Sequence, residues 1–392
     1  MEGATLVKSN TSLNIYQTGM SWFPEQPGNG LDRVYYALYE NFAHANVIAH
    51  GSVAGTNQVA VDSSGEIQAF ASDMAPLTTR MMKQRALVKS ALEENSYDLI
   101  ASHFALYTYP ILGIVKKYPM VVHFHGPWAD EGVVEGSSET AYKLKKYIER
   151  RVYAKADMFI VLSNAFRQLL VTDFGIPESK IRIVPGGADL DRFDCGLSQV
   201  EARRQLGWEE DHTIIVSVRR IARRMGIENL IDAVRHLVKS NPNIRLKIAG
   251  KGPLEEEFQL RIVQLGLQQH VEMLGYVSED DLPAIYAAAD LSVVPTIKLE
   301  GFGLITVESL ASGTPCLVTP VGGLPEVVGP LSGSLVTDDT SVQSLQNSLE
   351  GILAGQIDIP DAETCRKYAR DNYDWKAVAL KTREVYDEVL AL

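Results

Sequence analysis

Two glutamates eight residues apart, Glu300 and Glu308, are split by Gly301-Phe302-Gly303 and lie between two apolar stretches. Leu291 to Pro295 reads as a short buried strand, and Leu304, Val307, Leu310 and Ala311 then recur at helical spacing. The chain is therefore expected to run strand, glycine loop, helix. The first turn of such a helix, near Phe302, Gly303 and Leu304, leaves backbone N–H groups unpaired at the positive end of the dipole, where a phosphate can bind. Glycines let the backbone approach it closely. Glu300 then stands outside the helix and Glu308 about one turn inside, so both can reach hydroxyls of a ligand whose phosphates sit on the first turn. A nucleoside diphosphate sugar has that layout.

In open parallel sheets, ligands meet the loops at the carboxyl ends of strands. The first such loop carries Gly28-Asn29-Gly30 ahead of a helical pattern starting at Leu31, and brings backbone N–H groups toward phosphate or sugar, or serves only as a turn. His123-Phe124-His125-Gly126 ends an apolar strand; alternation puts both histidines on one face, with His125 the more exposed of the two and either a ligand contact or, equally, a structural histidine. A third loop, Arg219-Arg220-Ile-Ala-Arg223-Arg224-Met225-Gly226, holds four arginines whose planar forks match phosphate oxygens. At least one is expected to face the ligand, the others being solvated or paired with Glu228. Gly250 to Pro253, including Gly252, and Gly275-Tyr276 end further strands and suit the edge of a nucleotide base. Trp22, Phe23 and Trp128 offer aromatic faces for a sugar or, equally, core anchors.

Apolar strands alternate with helical patterns along all 392 residues, which indicates an α/β chain of two doubly wound domains with parallel sheets. Expected strands are Leu13 to Gln17, Asn46 to Ala49, Leu99 to Ser102, Met120 to Phe124, Met158 to Leu162 and Ile181 to Val184, then Thr213 to Val218, Arg245 to Ala249, Glu272 to Gly275, Leu291 to Pro295, Cys316 to Thr319 and Ser334 to Val336. Pro185 to Phe193 reads as the linker, dividing the chain into 1–190, 191–373 and a terminal helix, 374–392, that returns across it. The formal net charge of −12 argues against nucleic-acid binding, and only −2 of it falls in residues 1–190. Within that first part Ala141 to Lys155 and Arg80 to Arg85 are locally basic, either as solvated faces or as a peripheral contact with anionic lipid. Met1 to Asn10 lacks the apolar core of a secretory signal, and no run reaches the length of a membrane span, so a cytoplasmic location is expected. Cys195, Cys316 and Cys365 lack metal-ligand spacing and read as buried or inert.

Taken in order, Gly28-Asn29-Gly30, His125-Gly126, Gly187 to Phe193, Arg220 with Gly226, Gly250 to Pro253, Gly275-Tyr276 and Pro295 through Glu308 resemble the family 4 retaining glycosyltransferases of the GT-B fold. Glu308 to Cys316 and Gly322-Gly323-Leu-Pro-Glu326 extend the resemblance over nearly the whole chain. It implies two Rossmann-like domains facing across a cleft, with the donor held by the second and the acceptor, a glycan or lipid-linked hydroxyl, by the first. It further implies that Glu308 binds the donor ribose, Glu300 the sugar hydroxyls, Gly301 to Leu304 the phosphate, and that His125 lies beside the sugar. Arg220 and Glu300 join His125 as the catalytic set. No cofactor or metal is implied; the donor is a nucleotide sugar, UDP-glucose being the first expectation. The family usually places a lysine five residues after the arginine, where this chain has Met225, so Arg219 or Arg224 is expected to supply that charge.

Other classes share parts of this pattern. A dinucleotide-dependent dehydrogenase would show Gly-x-Gly-x-x-Gly, but Gly28-Asn-Gly-Leu-Asp-Arg33 ends in arginine. A UDP-sugar epimerase of the same fold, or a nucleotide-sugar-binding partner subunit without turnover, would keep the same site.

Overall fold

The computed structural model describes residues 11–392; the segment 1–10, on which the expectation about a secretory leader rests, lies outside the described residues. Short apolar runs separated by amphipathic helices pair in parallel, because each helix returns the chain to the edge from which the next strand starts. One sheet contains β1 Leu13–Ser21, β2 Val47–Ala54, β3 Ile67–Ala71, β4 Leu99–Ser102, β5 Met120–Phe124, β6 Met158–Val161 and β7 Ile181–Ile183. Its order is β3-β2-β1-β4-β5-β6-β7. The second contains β8 Thr213–Val218, β9 Ile244–Ala249, β10 Val271–Gly275, β11 Leu291–Val294 and β12 Cys316–Val318, in the order β10-β9-β8-β11-β12. Strand order reverses beside β1 in the first sheet and beside β8 in the second, and such reversals open a crevice at the carboxyl ends of the strands. The loops after β1, β4, β5, β8 and β11 therefore carry the candidate site.

Two strand expectations need correction. Ser334 to Val336 is not a strand: Gly333–Leu335 forms a 3-10 turn and Val336 makes only an isolated bridge to Val318. Conversely, β3 was not anticipated. It is an edge strand that buries Ile67 and Phe70, three residues apart, so its sequence lacks the alternation of a half-buried strand. Cys195 is exposed, whereas Cys316 and Cys365 are buried.

The segment between the sheets does not cross alone. Ala188 N–H donates to Tyr373 O at 3.0 Å and Ala188 forms a bridge with Asp374, so outgoing and returning chains run side by side. A side chain at Gly187 would meet Tyr373 O at 2.8 Å and the Trp375 ring at 2.9 Å. The Trp375–Leu390 helix then lies on the first sheet's unit, with Arg383 donating to Asn46 O at 2.9 Å, Arg182 paired with Glu388, and Tyr386 fully buried near Phe42.

Left-handed glycines separate backbone strain from collision. Gly175 (φ +66°) and Gly226 (φ +72°) cap or precede helices in the same conformation. A Cβ at Gly175 meets nothing, but at Gly226 it overlaps the carbonyl oxygen of Pro295, at the end of β11. Gly175→Ala should therefore cost about 1–2 kcal/mol, the left-handed penalty alone. Gly226→Ala should cost at least twice as much in urea unfolding followed by circular dichroism; equal losses would overturn the steric account.

Candidate active site

The loop between β11 and the Leu304–Ala311 helix is shaped by close backbone approaches. Gly323 N–H donates to Glu300 O at 3.0 Å, and a side chain at Gly322 (φ +57°) would overlap that same oxygen. Gly303 is the helix N-cap at φ +82°; no side chain caps the helix and no acidic residue sits in its first turn. The positive end of the dipole is thus left without a carboxylate of its own. Phe302 is a different kind of residue from its neighbours. Its ring is buried edge-on to Tyr373 at 5.6 Å and lies, with Leu304, beneath Gly186, so it offers a ligand only its backbone.

Glu308 sits one turn into this helix with 1% exposure. Burial pushes its carboxyl above the usual carboxylate range, and Arg33 opposes that shift. Arg33 Nη1 lies 2.9 Å from Glu308 Oε1, while Oε2 is buried without a hydrogen-bond partner among the described residues. The same guanidinium reaches Glu279 Oε1 at 2.6 Å and lies 4.5 Å from the Phe23 ring centroid; Glu279 Oε2 in turn takes Arg192 Nη1 at 2.7 Å. Arg33 belongs to the Gly30–Asn41 helix, whose N-cap is Asn29: its Oδ1 accepts from Leu31 N–H at 3.0 Å, and Gly28 turns the chain at φ +105°. The Gly28-Asn29-Gly30 turn therefore aims, across the crevice, the cation that neutralises Glu308.

The four arginines divide. Arg219, 8% exposed, donates from Nη2 to Glu300 Oε2 at 2.6 Å, to Thr296 Oγ1 at 2.8 Å and to Met225 Sδ at 2.7 Å. Its charge thus touches the side chain at the position where the family usually has lysine. Arg224 donates to Leu299 O at 2.7 Å and lies 3.9 Å from both Glu131 and Glu135, whereas half-exposed Arg220 pairs with Glu135 at 2.7 Å. Arg223 turns away to Glu228 and Glu257. Glu131 and Glu135 come from the Trp128–Val134 helix and its C-cap, directly after the His125 loop. Burial pushes the Glu131 carboxyl up, against the pull of Arg224.

Gly252 is explained by packing: a side chain there would overlap Ile221 O, and Ile221 N–H donates to Lys251 O at 2.9 Å. Gly250 N–H donates to Gly275 O at 2.7 Å, so the loops after β8, β9 and β10 are stitched together, with Tyr276 49% exposed beside them.

His125 ends β5, and burial pushes its imidazole down to about 3, leaving it neutral. Its Nε2 lies 3.1 Å from His103 Nδ1, at the end of β4. Side chains at Gly126 and at Gly301 would both touch the Phe166 ring, so that ring makes neighbours of the His125 and Glu300 loops. Trp22 is fully buried with Nε1 on Asp62 at 3.0 Å, and Phe23 is buried under Arg33, so both are core anchors. Trp128 stands edge-on to Phe104 at 5.3 Å. A cavity of about 650 Å³ opens between the helix after His125 and the loop before Glu300, lined among others by Asp130, Val133, Val134, Tyr142, Lys298 and Leu299.

Several of these groups were not anticipated from sequence. Arg33 registered only as a missing glycine. His103 follows a four-residue apolar strand as His125 follows its own, so the strand-end rule that selects one selects the other. Glu131, Glu135 and Glu279 carry no local signal, because their partners Arg224, Arg220 and Arg33 lie 93, 85 and 246 residues away.

Residues 29–192 match the model of Glycosyltransferase Family 4, and residues 198–372 that of Glycosyl transferases group 1. An uncharacterized glycosyltransferase of Methanocaldococcus jannaschii is 29% identical over 58% of this chain and 59% of its own length. A D-inositol 3-phosphate glycosyltransferase of Corynebacterium jeikeium is 30% identical over 75% of this chain and 73% of its own. The crystal structure of Anabaena HepE in complex with UDP-glucose shares the fold, with a TM-score of 0.77 at 20% identity over 97% of this chain and 100% of that one. With both sheets, the connecting crossing and the ordered loops in place, the chain belongs to the family 4 glycosyltransferases and has their GT-B fold.

Proposed function

We propose that this glycosyltransferase is a retaining, metal-independent hexosyltransferase that moves glucose from UDP-glucose to a hydroxyl of a glycan, polysaccharide precursor or glycolipid. The observation that carries the reading is the uncapped N-terminus of the Leu304–Ala311 helix, with Glu300 before it and Glu308 one turn inside, Arg219 on Glu300 and Arg224 on the carbonyl of Leu299. The complex of HepE with UDP-glucose supports the choice of donor by analogy alone.

In this reading the diphosphate lies on the backbone of Gly301, Phe302, Gly303 and Leu304, and Glu308 Oε2, the oxygen without a partner, accepts a ribose hydroxyl. The base lies along Gly252 and Tyr276, and the Gly28-Asn29-Gly30 turn borders the phosphates. Glu300 accepts from hydroxyls of the transferred sugar, beside His125. The bond from the anomeric carbon to phosphate oxygen breaks with its electron pair going to the diphosphate, whose growing charge meets the arginines and the helix dipole. The acceptor hydroxyl attacks from the same face, and its proton passes to the departing phosphate oxygen. Glu300 is already ion-paired with Arg219 and Glu308 with Arg33, which suits clamps and not the two carboxylates of a conventional retaining glycosidase. The 650 Å³ cavity beside Trp128–Val134, with Val133 and Val134 in its wall, is placed to receive the acceptor. No helix among the described residues is long and apolar enough to cross a membrane, and the exposed Leu144 and Tyr147 beside Lys143 leave a peripheral lipid contact as part of the proposal.

Three outcomes test the reading. Titration calorimetry with UDP-glucose should show Arg219→Ala, Arg220→Ala and Arg224→Ala each weakening binding, by at most roughly 10- to 100-fold, the worth of one whole charge-assisted contact of about 1.5–3 kcal/mol, with Arg223→Ala unchanged. Unaltered affinity in all four sinks the donor site. Product NMR should show the anomeric configuration of the donor kept, and activity should survive EDTA; an inverted centre refutes retention, and loss of activity restored by a divalent ion refutes metal independence.

Arg33→Ala should lower stability by about 3–5 kcal/mol, because it strands a buried carboxylate. The sign with pH follows from the raised carboxyl of Glu308: the loss is largest where that group is ionised and shrinks as pH falls and protonation removes the charge. Adding Glu308→Gln to Arg33→Ala should recover most of the stability in urea melts but not donor binding. A double variant as unstable as the single one would refute the pairing argument.

A further inference from the structure

The segment Gly322-Gly323-Leu-Pro-Glu326 has no part in the proposed reaction, yet it is built against the Glu300 loop. A side chain at Gly322 would overlap Glu300 O, one at Gly323 would overlap Gly301 O, and fully buried Leu324 lies against Gly303. Glu326 points the other way, into the first unit. Its Oε2 accepts from Asn164 N–H at 2.8 Å and from Asn164 Nδ2 at 2.9 Å, and its Oε1 accepts from Ala165 N–H at 2.9 Å. These two amides begin the Asn164–Phe174 helix, whose N-cap Ser163 takes the next one, Phe166 N–H, at 3.2 Å. The first turn of a helix in one unit is thus completed by a carboxylate 162 residues further along the chain.

Two features set this contact apart from an ordinary cap. The helix has no acidic residue in its own first turn, and Glu326 has no cationic partner among the described residues, so the carboxylate and the helix dipole answer each other across the boundary between the units. The third residue of that turn is Phe166, 3% exposed, whose ring a side chain at either Gly126 or Gly301 would touch. The placing of Phe166 therefore governs how closely the loop carrying His125 approaches the loop carrying Glu300. Phe166 is fixed only if the end of its helix is fixed, and that end is docked on Glu326. Gly323 closes the circuit: its N–H holds Glu300 O, and a side chain there would come 2.9 Å from Ser163 Cβ.

We propose that Glu326 is a positioning residue: by capping the Asn164–Phe174 helix from the second unit, it holds Phe166 against both loops and so sets the separation of His125 from Glu300. That these two groups meet the transferred sugar rests on the donor reading given above; the tie between the units does not. Bonds from backbone amides to a carboxylate are charge-assisted, and two amides plus one side-chain amide share this one. A cap from within the first unit would steady the helix as well. Supplied from the second unit, it steadies the register of the two loops in addition.

Hydrogen exchange of the full chain, read by mass spectrometry without any donor, tests the tie. Glu326→Ala should speed exchange in residues 163–167 and also in 125–131 and 299–304, with β8 and β9 unchanged. Adding Asn164→Asp returns a carboxylate to the first turn of the helix from its own unit, so the double variant should regain protection of the helix and melting temperature while both loops stay fast. Acceleration confined to 163–167, or loops cured by Asn164→Asp, would reduce Glu326 to a cap and overturn the proposal. The effect on the reaction is read from slow hydrolysis of UDP-glucose to UDP and glucose, with water in the place of the acceptor. Its kcat should fall by up to roughly 10²-fold in Glu326→Ala, the scale of an ångström of misplacement, and stay low in the double variant, with little change in UDP-glucose affinity by calorimetry. Loosened loops with unaltered hydrolysis also overturn the proposal. Loosened loops in a protein that does not cleave UDP-glucose uphold the tie and count against the choice of donor.

Discussion

A carboxylate 1% exposed in an almost fully buried helix cannot stay charged without a cation, and for Glu308 the cation comes from the opposite sheet. Arg33 is delivered by the Gly30–Asn41 helix, and its second nitrogen is held by Glu279, which is shared with Arg192. One buried charge thus ties together a helix of the first unit, the segment between the units, and one helix and one loop of the second. In the proposed reading Glu308 binds the ribose through one oxygen only, and the pairing agrees with that. Oε1 is spent on Arg33, and Oε2 keeps its lone pairs for a ligand. A hydroxyl placed there finds an acceptor whose desolvation has already been met by folding, and its arrival is felt by the residue that bridges the cleft.

The arginine loop follows the same rule with the opposite sign. Cations gathered for a diphosphate repel one another unless carboxylates stand between them, and Glu131, Glu135 and Glu300 do so here. In the proposed reading ligand phosphate would exchange with Glu131 and Glu135 for Arg220 and Arg224, so the affinity it gains would be the difference between two anionic partners, not the whole of a charge-assisted bond. Arg219 differs, because its bond to Glu300 is buried and shared with Thr296. It holds Glu300 and touches Met225 without leaving its place, and on that ground we favour it over Arg224 as the proposed substitute for the lysine.

The sheets were legible because their strands carry apolar residues in short runs or in alternation, and eleven of the twelve overlap expected strands; β3 does not, since it buries residues three apart and so shows neither pattern. Ser334 to Val336 misled for the converse reason, an apolar pair that fills the core from a turn. The Glu300 loop was readable because glycines and helical spacing are local properties. The partners of its carboxylates were not. Arg33 and Glu308 are 275 residues apart, and nothing near either residue states that the other must neutralise it. Phe302 shows a finer limit: the motif marked its backbone as a phosphate contact and said nothing of its ring, which is buried edge-on to Tyr373 and beneath Gly186.

The remaining constraint is mechanical. The outgoing chain at Gly186 and Gly187 is pressed against Phe302, Leu304, Tyr373 and Trp375, so the crossing between units is packed directly under the phosphate loop. The returning chain, bridged to Ala188, continues into the helix whose Tyr386 holds His123, and His123 stacks on the ring that bonds His125. The two walls of the site are therefore braced by the same pair of strands of chain, one reaching the phosphate loop and the other the histidine loop. Close packing transmits small displacements and does not absorb them. A shift at the crossing would then be passed both to the turn before the Leu304–Ala311 helix and to His125, so in the proposed reading the groups beside the leaving diphosphate and beside the sugar are held in register by one packed segment.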